Sequence, residues 1–103
     1  MTSSARFSIS NDVARVEGVI DFTSVVALQV EGGKWLKEKA PASCSVDFSG
    51  VTQCNSAATA LLLDWLRIGK GLNKQIRIVK VPQRLRDLMA LAGLEDVLAA
   101  EVV

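Results

Sequence analysis

Histidine is absent from this 103-residue sequence, and so is tyrosine. The first absence removes the commonest general base and the commonest metal ligand together. The second thins the remaining acid–base repertoire. There is also no glycine-rich phosphate loop, no metal-ligand spacing and no nucleophile with a base at a useful distance. No catalytic residue, cofactor site or metal site is expected, and the chain does not read as an enzyme. Charge of one sign is scarce as well, with 12 Lys plus Arg against 11 Asp plus Glu, a net charge of +1. That balance builds no field suited to nucleic acid or an anionic membrane. Apolar runs such as Ala60-Leu61-Leu62-Leu63 fall far short of the ~20 residues that cross a bilayer. Met1 to Arg6 carries no apolar signal core. These features together predict one soluble cytoplasmic domain over residues 1–103.

Cysteine is limited to Cys44 and Cys54. An extended segment between them holds their Cα atoms roughly 20 Å or more apart, against a limit of about 7 Å for a disulfide. Two reduced, largely buried thiols are expected, as suits a reducing compartment.

Half of the residues are hydrophobic, enough for a real core. Phe7, Ile9, Val13 and Val16 sit at strand-like spacing around the turn signal Asn11-Asp12, which predicts a hairpin over about residues 6–18. A first helix follows, capped by Thr23 or Ser24. Val25, Leu28, Gly32, Trp35 and Leu36 form its apolar face. Gly32-Gly33 inside it suggests close packing on the sheet or a kink. Trp35 and Trp65 read most simply as core residues, with Trp35, near the helix end, open to partial exposure. Ser45-Val46-Asp47-Phe48 reads as a short strand, with Gly50 opening a loop through Asn55. A second helix spans about Ser56 to Lys70, stopped by Gly71. Gln75 to Val81 reads as a strand in the middle of the sheet. Pro82 opens a third helix that carries Leu85, Leu88, Met89 and Ala92 on one face and ends at Gly93. Leu94 to Val103 reads as a terminal turn with room for a last short strand. Strands alternating with helices imply an α/β domain with a largely parallel sheet.

The second helix carries the candidate site. At 100° per residue Ala58, Leu61, Leu62, Trp65 and Gly69 share the core face. Ser56, Thr59, Ala60, Leu63, Arg67 and Lys70 fall on the other side. Leu63 there, among small residues and beside Arg67, makes an apolar centre with a basic rim, the pattern of a protein interface. Asn55 and Ser56 both suit a helix N-cap, so a capping role for Ser56 stands beside a contact role. Asp47 and Asp64 lie on different elements and do not read as a catalytic pair. Asp47 is better suited to holding backbone groups near the loop. Lys80, Arg84 and Arg86 read as a solvated basic face.

The segment Val46-Asp47-Phe48-Ser49-Gly50-Val51-Thr52-Gln53-Cys54-Asn55-Ser56-Ala57-Ala58 resembles the STAS domain family of sulfate transporters and anti-sigma-factor antagonists. That family places apolar-Asp-apolar-Ser-Gly on a strand and Asp-Ser/Thr-Ser/Gly-Gly at a helix start. Leu91-Ala92-Gly93-Leu94-Glu95-Asp96-Val97-Leu98 is similar to its C-terminal helix ending. The resemblance implies a SpoIIAA-like domain, a mixed, largely parallel sheet of about four or five strands with helices packed on it. Within the family, the short chain and Leu-rich second helix are most similar to small STAS subunits of ABC transporters that move phospholipids to maintain outer-membrane asymmetry. That likeness implies an ATPase subunit as partner, a place beside the inner membrane through that partner, and contacts from Asn55, Ser56, Thr59, Ala60, Leu63 and Arg67. The anti-sigma-factor antagonists imply an alternative in which a kinase of the anti-sigma factor is the partner and phosphorylation at Ser56 the switch. A phosphate there would sit at a helix N-terminus and carry about −2 charge onto an apolar surface. Asn55 in place of the family's aspartate and Ala58 in place of its glycine favour a lasting contact over the switch.

Overall fold

The computed structural model describes residues 5–94. The order along the chain is β1 (Ala5–Ser10), β2 (Val13–Ile20), α1 (Val25–Glu38), β3 (Ser43–Cys54), α2 (Ser56–Gly71), β4 (Gln75–Val79) and α3 (Gln83–Leu91). The expected terminal strand falls, from residue 95 onward, outside the described residues. β1 and β2 pair antiparallel through the two-residue turn at Asn11-Asp12, where Asn11 takes a left-handed conformation (φ 56). Asn tolerates that region better than other side chains with a Cβ. β2, β3 and β4 then pair in parallel, giving the order β1-β2-β3-β4. Among the described residues β4 is therefore an edge strand, not the central one its apolar residues suggested. Its five residues bury only Ile76 and Ile78 fully, the pattern of a half-covered strand.

Each right-handed β-α-β crossover places its helix on the same side of the sheet. α2 lies between α1 and α3 and packs against both. The helix-facing side of the sheet supplies Ala14, Val16, Ile20, Cys44, Val46, Phe48, Ile76 and Ile78, all buried. The opposite side carries Arg6, Ser8, Arg15, Ser45 and Arg77, each at least partly exposed. The molecule is thus two layers, with one face of the sheet left polar.

Packing corrects two sequence expectations, at Gly32 and at Gly71. Gly32 does not lie against the sheet. A Cβ there would stand 2.3 Å from the Trp65 ring, so the glycine lets α1 ride directly over the indole of α2. Trp65 in turn packs against Phe48 and Phe7, at ring centroid separations of 6.4 and 5.8 Å. Trp35 is buried, 4% exposed, with its ring edge-on to Phe7. Gly71 does not stop α2. The helix runs through it, and Asn73 (φ 56) makes the left-handed step. The amides of Asn73 and Lys74 donate to the carbonyls of Lys70 and Gly69, a Schellman ending built on asparagine.

That ending aims Lys74 back at α1. Its Nζ donates to the carbonyl oxygens of Leu36 and Ala40, both at 2.6 Å. These carbonyls belong to the last turn of α1 and the second residue beyond it, where intrahelical partners run out and the helix dipole favours a cation. Lys74→Met keeps the aliphatic stem but leaves both carbonyls without the ammonium. It should cost about 1–2 kcal/mol, read as a fall of about 5–10 °C in Tm. An unchanged Tm would mean that water replaces the ammonium at no cost.

Candidate docking site

The parallel strands end together at one edge of the sheet, and the three helices begin there. This is where open parallel sheets place their binding residues. β3 reaches that edge as a 12-residue strand rather than a short strand and a loop. Register shifts opposite Arg15/Glu17 and Gly18/Val19 insert extra residues into β3 relative to β2. Such bulges leave amides without a ladder partner. The Asp47 carboxylate accepts the Ser49 amide at 2.7 Å, at the first irregularity. Gly50 follows because a Cβ there would meet the Glu17 side chain at 2.6 Å. The family-like Asp47-Phe48-Ser49-Gly50 sequence is therefore a bulge signal, and it delivers Cys54, Asn55 and Ser56 to the sheet edge.

Asn55 is the N-cap of α2. Its backbone is extended (φ −127, ψ −165), and its Oδ1 accepts the Ala57 amide at 2.8 Å. Its own amide donates to the Ile20 carbonyl at the end of β2, tying the two turns together. Ser56 is thereby released from capping. It is exposed, its hydroxyl makes no hydrogen bond to another described residue, and the first turn of α2 carries no carboxylate. Along the same helix Ala60 and Arg67 are exposed and Leu63 is half-buried. Ser56, Ala60, Leu63 and Arg67 follow one another at three- and four-residue steps, so they form one continuous outward strip. Thr59 is not part of it. The residue is only 8% exposed, and its Oγ1 is buried without a hydrogen-bond partner among the described residues. A helix flanked by α1 and α3 has more than half its circumference covered, which takes in positions well away from the centre of the core face.

The neighbouring turn at the end of β2 was missed as part of this surface. Ser24 opens α1, but it does not cap it with its hydroxyl. The Asp21 carboxylate instead accepts the amides of Thr23 and Ser24, both at 2.9 Å. Ser24 Oγ accepts the Asp21 amide at 3.0 Å and donates to the Val19 carbonyl at 2.8 Å. The turn so fixed presents Phe22 to solvent at 69% exposure, beside the Ile20–Asn55 link. The Asp-Phe-Thr-Ser spacing was the available signal.

These bonds set the titration of the site. The Ser24 amide above all, with that of Thr23, holds the Asp21 carboxyl below its ordinary 3.8. For Asp47, partial burial pushes upward, but the Ser49 hydrogen bonds and the charges of Lys80 and Arg15 outweigh it, and the net shift is again downward. Carboxyls with depressed folded values contribute stability above the unfolded value and lose it as pH falls through the folded one. The unfolding midpoint should therefore hold steady from neutrality to about pH 5 and decline below about pH 4. Asp21→Asn should flatten part of that decline in a pH series of thermal melts. An identical acid limb in the variant would remove Asp21 from the account.

Burial raises the Cys44 thiol, opposed in part by Lys74, and raises the Cys54 thiol, opposed in part by Arg84. Both are free and neither is a ready thiolate at neutral pH. Among the described residues no three His, Cys, Asp or Glu side chains come together as a metal site requires. Nor is any described helix long and apolar enough to cross a membrane. What the edge offers is an exposed hydroxyl, small apolar residues and a flanking arginine.

The family model described as Mlab, STAS domain matches residues 4–100. The chain belongs to the STAS domain family. STAS domains are binding and regulatory domains, and the MlaB-type model is the one that fits here. No curated protein matches the chain significantly. Among solved structures it is similar to the anti-sigma factor antagonist SpoIIAA in its unphosphorylated form, with a TM-score of 0.72. Identity is 12% over 96% of this chain and 85% of that one. The Bacillus cell fate determinant SpoIIAA in its phosphorylated form gives 0.69, at 12% identity over 96% and 88%. An anti-sigma factor antagonist from Mycobacterium paratuberculosis gives 0.68, at 22% identity over 90% and 80%. At such identities the likeness establishes the SpoIIAA-like fold and no more.

Proposed function

We propose that this STAS domain is the accessory subunit of an ABC transporter that moves phospholipid, and that it binds and regulates the ATPase subunit through the strip from Ser56 to Arg67. The observation that carries this reading is the cap: Asn55 takes the capping role with a neutral side chain and leaves Ser56 exposed, its hydroxyl without a hydrogen bond to another described residue. A neutral, small-residue helix start followed by Ala60 and Leu63 suits a lasting apolar contact, with Arg67 at its rim. The MlaB-type family match supports the choice of partner. Co-expression with the ATPase subunit of a phospholipid ABC transporter from the same organism should yield a complex that survives gel filtration. Recovery of the two proteins in separate fractions would end this reading.

A second reading, an anti-sigma factor antagonist switched by phosphorylation, is favoured by the same free hydroxyl at the first helical residue of α2. A phosphate there would stand at the positive end of the helix dipole. The missing carboxylate beside it counts against this reading. An 80 Da increment at Ser56 in protein isolated from cells would promote it.

A further inference from the structure

β1 lies at an edge of the sheet, where among the described residues it pairs only with β2. The two-residue turn makes Ser10 and Val13 a hydrogen-bonded pair, and by alternation Ser8–Arg15 and Arg6–Glu17 follow. The amides and carbonyls of Phe7 and Ile9 therefore point away from the sheet. Sheet edges are ordinarily blunted by charge, proline, a bulge or a short strand. The other edge strand, β4, is five residues long and carries the exposed Arg77 at its centre. β1 has little of this. Its register with β2 is unbroken, its only charge is Arg6, and Ile9 is 49% exposed. Phe7 and Ile9 also line a hollow of about 270 Å³ between β1 and α1.

We propose that β1 pairs antiparallel with β1 of a second copy, across a two-fold axis at Ser8, joining the two sheets into one. The strand is complementary to itself in that register, as a two-fold contact demands. Centring on Ser8 sets Phe7 opposite Ile9 and Arg6 opposite Ser10. Phe7 and Ile9 are the residues with outward backbone groups, so each such pair exchanges both N–H···O bonds. Their side chains share one face, and the exposed Ile9 gains the second copy's Phe7, an aromatic–β-branched pair. No like charges meet. β4 paired about its own centre would instead oppose two Arg77 side chains, which is destabilising. The rim of the hollow balances Glu31 and Glu38 against Lys34 and Lys39, leaving no net charge there to repel a second copy. The outward strip of α2 lies beyond α1 and stays open, so this pairing is independent of the docking reading.

Sedimentation equilibrium of the full chain should show monomer at about 10 µM and a growing dimer toward about 0.5 mM, as suits so short an interface. Ser8→Arg, on the exposed polar face, should raise the dimer dissociation constant at least tenfold and leave the Tm of dilute protein unchanged. Cysteine linkage reads the register. Ser8 meets its counterpart as a non-hydrogen-bonded pair, with Cα atoms about 4.5 Å apart and within disulfide range. Mild oxidation of the Ser8→Cys variant should therefore trap a covalent dimer, with peptide mapping placing the link at position 8. Arg6→Cys should stay unlinked, because its counterpart lies about 13 Å away along the strands. A chain that is monomeric throughout, or equal linkage at both positions, overturns the proposal. A dimer that Ser8→Arg leaves intact also overturns it, and assigns the contact to another face, such as the exposed Phe22, Val26 and Val30.

Discussion

Gly32→Ala should destabilise the domain by about 2–3 kcal/mol, and Gly33→Ala, one residue along, should leave it unchanged or gain up to about 1 kcal/mol. Both replacements improve helix propensity by about 1 kcal/mol, because glycine loses more backbone entropy than alanine when the helix forms. The difference lies in what each methyl would meet. At Gly33 the nearest atom is Ile68 Cδ1 at 3.5 Å, an ordinary contact. At Gly32 three ring atoms of Trp65 lie within 2.4 Å. The indole cannot give way, being fully buried with Phe48 and Phe7 against it. Either α1 lifts from α2 or the aromatic cluster moves, and both forfeit close packing. Chemical denaturation of the two variants reads this directly, and Tm should separate them by about 10 °C or more. In a Trp65→Phe background much of the Gly32→Ala penalty should vanish, a coupling that a double-mutant cycle measures. Equal effects of the two alanines would show that the α1–α2 approach is looser than the Gly32–Trp65 contact requires.

Ser56→Asp should separate stability from binding. A carboxylate at the first helical residue of α2 stands at the positive end of the helix dipole, worth about 0.3–1 kcal/mol in favour of the fold. In the proposed interface the same charge is buried against apolar groups. That should cost about 2 kcal/mol or more, roughly a 30-fold loss of affinity for the ATPase. The expected outcome is a variant slightly more stable than wild type that no longer holds its partner. Asn55→Ala should behave in the opposite sense, losing about 1 kcal/mol of stability with the cap while placing no charge at the contact. Loss of binding together with loss of stability in Ser56→Asp would point to misfolding rather than to an interface.

Much of the fold was legible because local signals and packing agree. The Asn11-Asp12 hairpin, the start of α2, the core face from Ala58 through Trp65 to Gly69, and the Gly93 ending of α3 all follow from spacing and turn chemistry. What stayed hidden depends on neighbours. β3 was cut short because Ser49, Gly50, Thr52 and Gln53 look like loop residues, and only pairing with β2 shows that bulges carry the strand through them. The edge position of β4 is a matter of topology, which apolar content does not encode. Thr59 was placed on the outer side of α2 by rotation angle, but a helix flanked on both sides hides more of its circumference than a lone one. Phe22, Val26 and Val30 went unremarked as exposed residues because four-residue apolar spacing ordinarily marks a buried face. The buried face of α1 is the other set, from Val25 to Leu36.

Where the partner lands can be read residue by residue, because the chain is only 11.0 kDa. An isotope-labelled chain titrated with the ATPase subunit and followed by amide NMR would show it. The prediction is selective loss of intensity at Asn55, Ser56, Ala60, Leu63 and Arg67, with the open sheet face at Ser8, Arg15, Ser45 and Arg77 unaffected. Perturbation of that sheet face with α2 unchanged would contradict it.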